Sequence, residues 1–283
     1  MSTVGAVFLP QLPPERLIEV AVAADEAGLA ELWLWEDCFR QSGIASAAAA
    51  LAATRTVRVG IGLLPVPLRN VAITAMELAT LERMFPGRPV AGVGHGVQDW
   101  MAQVGARAAS PLTLLREHLG ALRALLDGDE VSTEGRYVRL DRVRLDWPPA
   151  GRVALHAGAT GPRTLALAGE LADGTILTGG TTPDQVRAAR RRIGAAGPHR
   201  VTVYVHAATG PDAAERLAGD LRRWGNPPES GVAGDADAVA DGVRRYVAAG
   251  ADAVILQPTP DDPDPAGFVR FAGAEVAPRV PAG

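Results

Sequence analysis

Eight short apolar runs, each followed by a helical pattern, predict a single-domain (β/α)8 TIM barrel over residues 1–283. Chain length agrees: 283 residues suit one large α/β barrel or two small domains, and such a chain buries roughly 75% of the surface it exposes when unfolded. Glycines cluster at the carboxyl ends of the runs, where backbone amides can approach a ligand closely and where a parallel α/β protein builds its site. An open doubly wound sheet is the alternative, but it rarely needs eight evenly spaced units.

The first strand is read at 4–9 (VGAVFL), ahead of an amphipathic helix over 14–27, and the second at 31–35 (ELWLW), ahead of a helix over 43–53. The third, 57–63 (VRVGIGL), is β-branched and stops at Pro65-Val66-Pro67; the helix over 70–84 then carries apolar residues at helical spacing. The fourth, 89–94 (PVAGVG), ends in Gly94-His95-Gly96. Strands at 153–157, 174–178, 201–207 and 252–257 follow, with helices over 162–172, 183–195, 211–223, 235–249 and 263–277. Spacing breaks once. About sixty residues, roughly 97–150, separate the fourth and fifth strands, and they read as a loop (97–109), a helix (110–127) and a hairpin around Glu134-Gly135. An insertion of this size usually forms a lid or an interface, as does the loop Gly225–Gly231.

All 28 basic residues are arginine, so a lysine Schiff base and a P-loop lysine are excluded. The net charge is −4 with the arginines dispersed, apart from a short run at 190–192 read as a solvated helix face, which argues against nucleic-acid binding. A lone cysteine, Cys38, permits neither an intramolecular disulfide nor a cysteine metal cluster. No signal-peptide pattern opens the chain and no apolar run reaches ~18 residues, so a cytosolic protein without a membrane span is expected.

In a barrel the reacting groups sit at the carboxyl ends of the strands. That rule selects Glu36, Asp37 and Cys38 after the second strand, and Gly62, Leu63 and Leu64 at the third. Gly94, His95 and Gly96 follow the fourth, and His206 ends the seventh. There is no His and carboxylate cluster at metal-ligand spacing and no G-x-S-x-G nucleophile. Gly92-Val93-Gly94-His95-Gly96 lacks the spacing and the distant acidic partner of a dinucleotide fingerprint. Gly158-Ala159-Thr160-Gly161 runs into a helix that begins at Pro162, a pattern that exposes free backbone N–H groups to an anion. Thr178, Gly179 and Gly180 end the next strand; together the two segments suit a phosphate, and two ordinary strand-to-helix turns account for them equally well. His95, between glycines, is a candidate acid or hydrogen-bond donor. Trp33 and Trp35 point the same way on one strand, as core filling does.

The chain resembles the bacterial-luciferase-like oxidoreductases, and within them the branch that uses the deazaflavin coenzyme F420. The resemblance spans nearly the whole chain, through Gly28–Asp37, Val59–Asn70, Gly92–Gly96, Arg116-Glu117, Gly158–Pro162 and Ala172–Gly174. It implies a barrel with the coenzyme ring in the carboxyl-end mouth, a non-proline cis peptide at Gly62–Leu63, and the phosphate on Gly158–Gly161 and Thr178–Gly180. Many deazaflavin enzymes carry an Asp-His pair where this chain has Glu36-Asp37, and some a glutamate where it has Val97. These departures point away from alcohol or sugar oxidation and toward hydride transfer to an activated C=C or C=N bond of a small organic substrate, with His95, Glu36 and Asp37 as candidate catalytic groups. The alternatives are an FMN-dependent monooxygenase supplied with reduced flavin by a separate reductase, and a flavin-binding barrel without turnover. Apolar helices and the insertion suggest a homodimer.

Overall fold

The computed structural model describes residues 2–280. Its strands are β1 (Thr3–Phe8), β2 (Glu31–Leu34), β3 (Arg58–Pro65), β4 (Pro89–Gly94), β5 (Val131–Glu134), β6 (Arg139–Val143), β7 (Leu155–Gly158), β8 (Gly174–Leu177), β9 (Arg200–Ala208), β10 (Gly231–Ala233) and β11 (Ala253–Pro258). All but β5 and β6 pair in parallel, and the order β1-β2-β3-β4-β7-β8-β9-β11 returns to β1, closing an eight-stranded barrel. The helices are α1 (Leu17–Glu26), α2 (Gly43–Ala53), α3 (Val71–Met84), α4 (Gln98–Gln103), α5 (Pro111–Leu126), α6 (Pro162–Leu171), α7 (Pro183–Ile193), α8 (Ala213–Trp224), α9 (Ala236–Ala248) and α10 (Pro265–Arg270). Among the described residues none is long and apolar enough to cross a membrane.

Three elements depart from the sequence reading. The segment 97–109 is not all loop, because Gln98–Gln103 coils into α4 with Met101 fully buried. The helix expected to run to 277 continues past Arg270 as a π-helical turn, Phe271–Val276. β10 is a strand of three residues, too short for an alternation signal. It fills a gap at the mouth: β9 pairs with β8 through Arg200–Val203 and with β10 through His206–Ala208.

From α5 onward the insertion packs along the barrel wall. α5 occupies an ordinary barrel position between α3 and α6, and the hairpin β5–β6 lies along it. Glu117 on α5 accepts from the backbone N–H groups of Arg136, Tyr137 and Val138 at 3.0, 2.8 and 3.0 Å, and Tyr137 Oη accepts from the Ser110 N–H at 2.7 Å.

Two apolar layers stabilise the fold. Side chains from alternate strand positions fill the barrel, among them Val7, Trp33, Val90, Ile176, Tyr204 and Ile255, and the larger layer lies between strands and helices. Trp33 fits because β3 carries Gly60 and Gly62 opposite it; a Cβ at either would overlap the Trp33 ring or the Tyr204 hydroxyl. Below Trp33 the amino end of the barrel is closed by Glu31, 1% exposed. Its carboxylate takes Arg58 at 2.9 Å, Arg200 at 2.6 Å and the Trp33 Nε1–H at 2.9 Å.

Candidate active site

The carboxyl ends of β2, β3 and β4 form one side of the barrel mouth. Glu36 is held at three points: Arg69 reaches both its oxygens, at 2.8 Å to Oε2 and 2.9 Å to Oε1, and Gly43 N–H donates to Oε2 at 2.7 Å. A carboxylate with its lone pairs so occupied holds the start of α2 in place. Asp37 is different. It is half-buried, its carboxyl makes no side-chain hydrogen bond among the described residues, and burial pushes its pKa up against the opposing pull of Arg40. Cys38 beside it has its thiol pushed up by burial and by Glu36 and Asp37, so it is not a ready thiolate.

The peptides Cys38–Phe39 and Gly62–Leu63 are both cis. At the second the β3–β4 register shifts between Ile61 and Leu64. Leu63 then lies across the mouth against Gly94 and Gly158: a Cβ at Gly94 would stand 2.6 Å from Leu63 Cδ2 and one at Gly158 would collide with the same atom. These glycines make room for the Leu63 side chain. Leu64 turns outward and is fully buried in the layer under the helices, so its side chain does not line the mouth. Gly96 has φ +65 and packs against Pro65 and Met101. His95 points toward the amino end of α6, with Nε2 3.3 Å from Thr164 Oγ1, and burial lowers its pKa from 6.5. A largely neutral imidazole at neutral pH can donate one N–H but is a weak acid reservoir.

The ends of β7 and β8 form the other side. Gly161 is the N-cap of α6, with no side chain capping that terminus, so N–H groups of its first turn are free for an anion. A Cβ built on Gly161 meets nothing within 4 Å. α7 is closed by a capping box between Thr182 and Gln185. Between the two helices lies a pocket of about 420 Å³ lined by Thr160, Thr178, Gly179, Gly180, Arg192 and Asn226 among others. The structure therefore brings Thr160 together with Thr178–Gly180, Ala159 donating its N–H to Ile176 O just below. The hydroxyls of Thr160 and Thr178 and the Arg192 guanidinium give this pocket donors of the kind a phosphate would need. Arg192 and Asn226 were not legible as pocket residues: Arg192 belongs to a run that reads as a solvated face, and Asn226 arrives from a loop far along the chain. A larger open cavity of about 850 Å³ lies between α8 and residues 260–268.

The profile described as luciferase-like monooxygenase matches residues 3–229. The chain belongs to the luciferase-like monooxygenase family. A 5,10-methylenetetrahydromethanopterin reductase from Methanolobus tindarius is 30% identical over 194 residues, 68% of this chain and 59% of that protein. An F420-dependent glucose-6-phosphate dehydrogenase from Nakamurella multipartita is 32% identical over 187 residues, 61% of this chain and 55% of that one. The luciferase-like chain thus spans little more than half the length of these relatives. Its fold matches that of the coenzyme F420 dependent tetrahydromethanopterin reductase from Methanopyrus kandleri with a TM-score of 0.86 at 21% identity, over 99% of both chains. It also matches the oxygenating constituent of 3,6-diketocamphane monooxygenase from Pseudomonas putida, solved with FMN, with a TM-score of 0.79 at 17% identity over 99% of both.

Proposed function

We propose that this luciferase-like protein is an F420-dependent oxidoreductase that passes a hydride between the reduced coenzyme and an activated C=C or C=N bond of a small organic substrate. The observation that carries the reading is the convergence of the uncapped α6 terminus and the Thr178–Gly180 loop on one pocket beside the barrel mouth. The F420-named relatives support the choice of coenzyme. When bound, the deazaflavin supplies the hydride; the protein holds and orients it.

The residues divide the remaining work. The α6 amides, Thr160 and Thr178 hold the phosphate arm, Leu63 supplies an apolar surface for a ring, and His95 donates an N–H near the start of α6. Asp37 is the proton donor. Its carboxyl is kept protonated to higher pH than an ordinary aspartic acid, so it can deliver a proton to the atom opposite the one that accepts the hydride. Hydride and proton together saturate the double bond, and Asp37 is recharged from solvent. The exposed apolar residues Ile73, Met76 and Met84 of α3 are the surface on which a second copy would pair.

Titration of the purified protein with oxidised F420 and with FMN tests the coenzyme. Tighter binding of F420 is expected; tighter FMN binding, with oxygen uptake in the presence of a flavin reductase, would move the assignment to an FMN monooxygenase. Turnover of Asp37→Asn, His95→Ala and Glu36→Gln side by side tests the proton donor. Asp37→Asn should lose a factor of roughly 10²–10⁴ and Glu36→Gln should lose mainly stability. Wild-type turnover in Asp37→Asn would remove it from the reaction, and binding with no turnover on any unsaturated substrate would leave a cofactor-binding barrel.

A further inference from the structure

Behind the pocket stands a buried polar chain. His206, 2% exposed at the mouth end of β9, lies with Nδ1 2.7 Å from Asp220 Oδ2 on α8, and Asp220 is 5% exposed. A carboxylate only accepts, so Nδ1 donates to it and Nε2 of the imidazole is left as an acceptor. Asn226 Nδ2 donates to that Nε2 at 3.0 Å. The backbone at Asn226 is fixed as well. Gly225, at φ +66, ends α8, and the N–H groups of Gly225 and Asn226 return to Arg222 O at 3.2 Å and Leu221 O at 2.9 Å, closing a Schellman turn.

The same groups explain two glycines. A Cβ on Gly179 would stand 2.9 Å from His206 Nε2 and 2.8 Å from Gln257 Oε1, and one on Gly180 would run into the Asn226 amide. The loop that ends β8 is therefore moulded on the His206–Asn226 pair, and Asn226 lines the same pocket as Thr160.

We propose that Asn226 is a ligand-contact residue of this pocket, donating its second amide proton to the phosphate group of the bound cofactor, and that the His206–Asp220 pair is its positioning group. Asp220 fixes the imidazole tautomer; the imidazole fixes which face of the amide turns to the pocket. An amide free to flip would present its carbonyl oxygen to the phosphate half of the time and repel it. The assignment rests on the phosphate lying in this pocket, as the proposed function has it.

The test is titration of the cofactor-free protein with two matched pairs: F420 against its phosphate-free deazariboflavin core, and FMN against riboflavin. Wild type should favour the phosphorylated member of at least one pair. Asn226→Ala should weaken that member about ten- to hundredfold, the range for a hydrogen bond to a charged group, and leave the phosphate-free member within about twofold. His206→Ala should reproduce the selective loss and Asp220→Asn should give part of it. Should His206→Ala fail to fold, the surface-accessible Asn226→Ala, with Asn226→Gln as its conservative counterpart, decides alone. Equal losses for both members of a pair, or a phosphate preference that survives Asn226→Ala, would overturn the proposal. A wild type without phosphate preference would instead overturn the pocket assignment beneath it.

Discussion

The two ends of the barrel treat their charged groups in opposite ways. At the amino end three carboxylates are fully engaged. Glu31 is paired with Arg58 and Arg200 and capped by Trp33, and Asp173 takes Arg152 at 2.8 Å and the Leu155 N–H at 2.9 Å. Asp25 accepts four hydrogen bonds from residues 55–57 at 2.7 to 2.9 Å. At the mouth Asp37 is buried in part without a side-chain hydrogen bond among the described residues, and His95 holds one long contact. Burial with satisfaction makes a lock; burial without it leaves groups whose pKa values move, which is where chemistry is found. Glu36 shows that position at the mouth is not enough, since Arg69 and Gly43 make it part of the frame.

The comparison breaks hardest at Glu31. Glu31→Gln leaves two guanidiniums facing a neutral amide. Removing one partner of a buried pair costs about 3–5 kcal/mol, and the low end, about 3 kcal/mol, is expected because Arg58 and Arg200 keep some solvent contact, at 34% and 21% side-chain exposure. Urea denaturation measures it. Coenzyme affinity of the folded variant should not change, because the network lies at the opposite end from the pocket; a variant that stays stable but loses affinity would mean that the two ends are coupled.

The next change attacks the mouth and spares the frame. Gly161→Asp adds a carboxylate where no atom lies within 4 Å of the new Cβ, so no steric cost accompanies it. Two like charges at about 4 Å interact by about 4 kcal/mol at an effective dielectric of ~20, so a phosphate bound there should be lost by at least ~100-fold in affinity. The denaturation midpoint should match wild type or rise slightly, because an aspartate at the N-cap also accepts from the free first-turn N–H groups. Unchanged affinity for both F420 and FMN would take the α6 terminus out of the site.

These two ends were not equally legible in the sequence. The strands were, because β-branched runs such as VRVGIGL and VTVYVHA cannot be confused with the helical patterns between them, and they fall within a few residues of β3 and β9. Glycine-rich loops marked the mouth, yet sequence did not reveal what each glycine faces. Gly94 and Gly158 admit Leu63, Gly179 admits His206 and Gly180 admits Asn226, partners that lie 27 to 95 positions away and meet them only through closure of the barrel. The same holds for charge. Glu36 and Asp37 are neighbours of one type, and what separates them is Arg69, 33 residues on, which engages the first and not the second. His206 and Asp220 sit on a strand and on the helix after it, with no spacing motif to announce them.

The smallest effect is the one that ties the mouth's chemistry to its cost. Asp37 has its folded pKa raised above the ordinary 3.8 by burial, so the folded state disfavours the carboxylate. By linkage, the stability associated with the protonated form is fully present below pH 3.8 and is lost as pH rises from there through the folded pKa, above which the penalty is constant. Asparagine is neutral throughout and nearly the same size. Asp37→Asn should therefore be more stable than wild type at neutral pH, with the advantage shrinking as the pH is lowered toward the wild-type group's protonation. Arg40 works the other way, since its attraction to the carboxylate is lost in the variant, and this limits the gain. Urea denaturation at pH 5 and pH 7.5 reads the sign. A variant less stable than wild type at pH 7.5 would mean that Arg40 and solvent satisfy the carboxylate, and Asp37 would then belong with Glu36 and the frame. A variant that gains stability while losing turnover would place Asp37 among groups kept at a cost because the reaction needs them.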